Sequence, residues 1–88
     1  MSYKISRIDV IDYLVAMCVK ANKTPANISF ADFVIKKCSF KFGYDKYRAK
    51  SFINTLINAW RDDKWKNYVK NNPYLTEEEK AEWIQKHV

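Results

Sequence analysis

A single glycine, Gly43, and two prolines, Pro25 and Pro73, punctuate a chain of 88 residues. An all-β sandwich or barrel needs many tight turns and a supply of Gly, Pro and Asn to make them, so the long segments between these residues point to helices. Apolar residues make up 48% and aromatics 16%, enough for one packed core in one domain. The fold class that follows is all-α, with a single helical domain over residues 1–88.

The helix boundaries are signalled by caps. Ser6, with Asp9 three residues on, approximates a capping box, and Ile8, Ile11, Leu14, Val15 and Cys18 recur at helical spacing, predicting a first helix over Arg7 to Ala21. The stretch NKTPANI carries turn residues and reads as a loop. Ser29 and Asp32 repeat the capping arrangement, and Phe30, Phe33, Val34 and Cys38 share a face, so a second helix begins near Phe30 and ends at Gly43, a residue able to take the left-handed conformation. Asp45 then caps a third helix with an apolar stripe of Ala49, Ile53, Leu56, Ile57 and Trp60. After Trp60, Asp62 and Asp63 either cap a new helix or lie on a continuation of the third. Pro73 breaks the chain at NNP, and Thr76 with Glu79 is a capping box for a last helix over about Glu77 to His87.

Catalytic and metal chemistry is poorly supplied, and the expectation is a protein that is not an enzyme, with no cofactor and no metal. The only histidine is His87, one glycine excludes a phosphate-cradling loop, and the acid pairs are explained by capping. Cys18 and Cys38 fall on apolar helical faces and read as buried thiols rather than a disulfide or metal pair. The apolar runs are short and none is preceded by the pattern of a signal peptide, so a cytoplasmic protein without a membrane partner is expected.

Charge is informative. Residues 1–72 carry 14 basic and 6 acidic side chains, a net +8, whereas residues 73–88 carry 2 basic and 4 acidic, a net −2. Attraction to a polyanion therefore belongs to the first part of the chain. On the third helix, at about 100° per residue, Tyr47, Lys50, Ser51, Asn54, Asn58 and Arg61 fall opposite the apolar stripe. That face contains no acid, unlike an ordinary solvated helix where Glu and Lys alternate at i, i+4. Its cations, hydroxyl, amides and phenol suit base edges and phosphate oxygens.

The segment KCSFKFGYDKYRAKSFINTL resembles the helix-turn-helix pattern of DNA-binding regulators. Cys38, Ser39 and Phe42 take the apolar, small and apolar places before the turn glycine, Gly43. Tyr44, Asp45, Ala49, Ile53 and Leu56 take the places after it, as apolar residue, cap, small residue and two aliphatics. The family usually has alanine where Ser39 stands, and RDDKWKNYVKNN has neither glycine nor the alternation of a wing. The resemblance implies a three-helix core over about 7–61, with a C-terminal helical extension over about 62–88. It implies double-stranded DNA as partner, a transcription regulator or architectural factor, and base contacts near the start of the third helix. Carried over, those positions are Lys46, Tyr47, Lys50, Ser51 and Asn54, with Arg48 and Arg61 on phosphates; in a DNA-binding mechanism the basic Lys36, Lys37 and Lys41 would neutralise phosphates as well.

Two other readings are open at this point. Trp60, Trp65, Tyr68, Tyr74 and Trp83 crowd the last part of the chain. They either pack the last helix on the third, or give a partner surface formed by Trp65, Tyr68, Tyr74 and Trp83. The second choice suits a homodimer, or a small interaction module: an accessory subunit of a replication or transcription assembly, or a viral factor. Aromatics interleaved with lysine in KWKNYVK also suit base stacking by a single strand.

Overall fold

The computed structural model describes residues 5–87 and is all-helical over them. Five helices follow one another: α1 (Arg7–Ala21), α2 (Phe30–Phe42), α3 (Lys46–Arg61), α4 (Trp65–Lys70) and α5 (Glu77–Lys86). The extension after the third helix thus holds two helices, α5 where the sequence places a last helix and α4 where it leaves a new helix or a continuation of the third open. The molecule is 21 Å across its shortest axis, about the thickness of two helix layers.

α1 is the central element and packs against α2, α3, α4 and α5. Its buried residues Val10, Ile11, Tyr13, Leu14, Val15, Ala16 and Cys18 therefore wrap most of the helix circumference instead of forming a narrow stripe. Ile8, expected in that stripe, is 51% exposed; it sits in the first turn at the edge of the buried arc. Ser6 caps the helix by accepting from the Asp9 amide at 3.3 Å. Asn22 ends it in the left-handed region, with its own N–H donating to Val19 O and the Lys23 N–H to Cys18 O.

α2 and α3 form the most extensive helix pair, joined by only Gly43, Tyr44 and Asp45. Gly43 adopts φ +68° and its N–H donates to Ser39 O at 3.0 Å, while the Asp45 carboxylate accepts from the Arg48 amide at 2.9 Å. The turn is thus fixed from both sides by backbone amides. Ser29 does not cap α2: the turn closed by Thr24 and Asn27 holds it at φ −82°, ψ 4°, outside the extended region a cap needs, and its hydroxyl accepts from Lys23 Nζ.

Neither expectation for Asp62 and Asp63 holds. Asp63 takes φ 58° and closes α3, with its N–H on Trp60 O and the Lys64 N–H on Ala59 O. α4 then starts at Trp65 without a side-chain cap. What holds α4 is burial: Trp65 is 2% exposed, its indole N–H donates to Leu56 O at 2.9 Å, and Val69 is fully buried. After α4, the buried Asn72 donates to Asp12 O at 2.8 Å and accepts from the Tyr74 amide at 2.9 Å. This one side chain ties the last connection to α1. α5 begins in the complete capping box of Thr76 and Glu79.

Candidate nucleic-acid interface

Lys46, Tyr47, Arg48, Lys50, Ser51, Asn54, Asn58 and Arg61 are all exposed on α3. The opposite side buries Ala49, Phe52, Ile53, Leu56 and Ala59, so the helix is sharply divided. Tyr47 stands 72% exposed near the start of the helix, with Lys46 Nζ and Lys50 Nζ each 5.7 Å from its ring centre. Two cations and a phenol are thus gathered on the first turns of α3.

A second group of cations lies on an aromatic seam between the helices. The Arg48 guanidinium sits 4.0 Å above the ring of Tyr44, which stacks on Phe42 at 5.2 Å and runs parallel to Phe52, 6.0 Å away with 7° between planes. Phe42 meets the edge of Tyr13, over which Lys41 Nζ lies at 5.5 Å. At the other end of the seam Arg7 covers Phe52 at 4.4 Å and donates to Thr55 Oγ1 at 3.1 Å. The fold therefore links Lys41, Arg48 and Arg7 through one cluster of rings. Arg7 and Thr55 are 48 positions apart, and no local pattern in the sequence announces their contact.

Lys36, Lys37 and Arg61 are placed differently. Lys37 lies over Phe33 of its own helix at 5.4 Å, and neither Lys36 nor Arg61, both exposed, is tied to the seam. Of the ten positions selected from the sequence, Lys46, Tyr47, Arg48, Lys50, Ser51 and Asn54 lie together on the first turns of α3, Lys41 joins the seam from the last turn of α2, and Lys36, Lys37 and Arg61, the last at the far end of α3, are separate surface charges.

Acids are absent from this surface in a specific sense. Among the described residues the ion pairs are Lys20–Glu79, Lys66–Asp63, Lys80–Glu77 and Lys86–Glu82. None involves Arg7 or any cation of α2 or α3. All four pairs are at least partly solvated, so each contributes at most about 1 kcal/mol; their value here is to mark which charges are already compensated. Asp45, the one acid beside the start of α3, faces the helix amides as a cap.

Of the four aromatics named for a partner surface, Trp65 and Trp83 are buried, Tyr68 is half-buried and Tyr74 is exposed. Trp65 and Trp83 are only 2% and 7% exposed, because Trp65 fills the space between α3, α4 and α5 and stacks with Trp83 at 6.4 Å. Trp60 meets both edge-on, and His87 stacks on Trp83 at 4.1 Å. Tyr68 is half-buried against the same core and Tyr74, 41% exposed, has its ring against the edge of Tyr13. Packing of the last helix thus takes up Trp65 and Trp83; α5 rests on α1 and α4, and Trp60 of α3 meets Trp83 edge-on.

The thiols of Cys18 and Cys38 are free and buried. Burial pushes the Cys18 thiol up to about 12 and raises that of Cys38, so both stay protonated and serve as core packing. Among the described residues no three His, Cys, Asp or Glu side chains come together as a metal site, and no helix is long and apolar enough to cross a membrane. Comparison with protein-family models, with curated proteins and with solved structures found no match.

Proposed function

We propose that this chain binds double-stranded DNA through a helix-turn-helix made of α2, the Gly43–Asp45 turn and α3, acting as a transcription regulator or an architectural factor. The observation that carries this reading is the acid-free outer face of α3, whose cations have no ion-pair partner among the described residues. A helix of ordinary diameter fits the major groove, which is about 12 Å wide. In that position Lys46, Tyr47, Lys50, Ser51 and Asn54 reach base edges, and Arg48, Lys41 and Arg61 neutralise phosphates and release their counterions. Lys36 and Lys37 add attraction at longer range from α2.

Burial of Trp65 and Trp83 weighs against the other reading, an interaction module docking through its aromatic C-terminal region. The test is equilibrium binding to a duplex by the unaltered protein and by a Lys50→Glu, Arg61→Glu double variant. Both positions are exposed, so the variant is expected to fold, which its circular dichroism checks. The proposal predicts that it binds at least about tenfold more weakly and has a shallower salt dependence, each lost phosphate contact removing about 0.9 from the slope of log K against log salt. Indistinguishable binding by the two proteins contradicts it.

A further inference from the structure

Arg7 is in an arrangement that α2 and α3 do not require. It belongs to the first turn of α1, yet its guanidinium is held against α3 by a hydrogen bond to Thr55 and by the face of Phe52. A guanidinium carries five N–H donors and a charge that persists at every physiological pH. Here one contact to a hydroxyl is recorded, and no acid pairs with it among the described residues. Fixing a long side chain in one geometry costs conformational entropy, and in this case the fixed charge faces solvent with most of its donors unused.

Arg48 repeats the arrangement on the neighbouring ring. Its guanidinium lies 4.0 Å above Tyr44, and Tyr44 and Phe52 are parallel, 6.0 Å apart. Two guanidinium groups are thus seated on one pair of parallel rings. On α3, Arg48, Ser51 and Thr55 share the edge of the outer face that turns toward α1, whereas Lys50, Asn54 and Arg61 lie around its middle and far side. A planar, forked donor fixed by stacking matches the two free oxygens of a phosphodiester.

We infer that Arg7 and Arg48 form a two-armed clamp for the sugar–phosphate backbone of one DNA strand, with Phe52 and Tyr44 as its platform and Thr55 as the positioning residue for Arg7. The clamp rests on the duplex-binding reading above and extends it to α1: the strand beside the groove occupied by α3 is gripped along the α1–α3 seam. Because its ligand is the backbone, the clamp adds affinity without sequence preference.

The test is duplex affinity against salt for the unaltered protein, Arg7→Gln, Arg48→Gln and the pair combined, each on two duplexes of unrelated sequence. Each single variant is expected to weaken binding by the same factor on both duplexes and to lower the salt slope by about 0.9, the combined variant by about 1.8. Arg7→Lys keeps the charge but not the fork, and is expected to retain the slope with intermediate affinity. A role for Arg7 in folding alone leaves the slope of the folded protein unchanged. If Arg7→Gln or Arg48→Gln keeps the full slope while the Lys50→Glu, Arg61→Glu variant loses affinity, the clamp is overturned and the α3 interface stands. If the unaltered protein shows no salt-dependent duplex binding, the interface and the clamp fall together.

Discussion

Gly43 sits at φ +68° with nothing within 4 Å of the place a Cβ would occupy. Substitution there meets no clash, so its cost is that of the left-handed backbone alone, roughly 1 kcal/mol for alanine. Gly43→Ala is expected to lose about that much in urea unfolding, and Gly43→Asn less, since Asn22 already adopts the same region at φ 56°. Asn72 works the other way, through contacts: Asn72→Ala removes both the donor to Asp12 O and the acceptor for the Tyr74 amide. Leaving partly buried groups unpaired is expected to cost about 1–3 kcal/mol in the same measurement. The glycine was legible, because its type names its conformation. Asn72 was not: beside Pro73 it reads as an ordinary break, and its value comes from a carbonyl 60 positions away.

Among the helices, α1, α3 and α5 are readable from polar caps, and α2 from its apolar face and Gly43 although Ser29 does not cap it. α1, α3 and α5 begin at Ser6, Asp45 and Thr76, where a side chain accepts from an amide of the first turn, close to where the caps in the sequence place them. α4 has no such cap; it exists because Trp65 and Val69 are drawn into the core, which is a tertiary cause with no local sign. Asp63 in a left-handed position was equally hidden, since a pair of acids after a helix suggests a new cap. For α5 the capping box carries a pH signature. The Thr76 amide, donating to the Glu79 carboxylate, holds its pKa below the usual 4.5, with Lys20 helping. A depressed folded pKa means that the contribution is present above 4.5 and disappears as pH falls through the folded value. Comparing Glu79→Gln with the unaltered protein by urea unfolding, the stability gap is expected at neutral pH and should close in acid. A gap that persists unchanged at low pH contradicts this account of the cap. Thr76→Ala is expected to cost about 1 kcal/mol at neutral pH.

Across the whole molecule, charge is divided. The recorded ion pairs draw on α5, Asp63, Lys66 and Lys20, whereas the cations around α3 and Arg7 lie over aromatic rings or free in solvent. The outer face of α3 was visible in the sequence because helical periodicity and the absence of acids between Asp45 and Asp62 are both local properties. The seam that joins Arg7 to Arg48 needed the fold, as did the burial of Trp65 and Trp83. One measurement bears most directly on what this division is for: the affinity of the unaltered protein for duplex DNA across a range of salt concentrations. The account predicts tight binding at low salt that weakens steeply, with a slope equivalent to at least about four neutralised phosphates. Absent or salt-insensitive binding would contradict it.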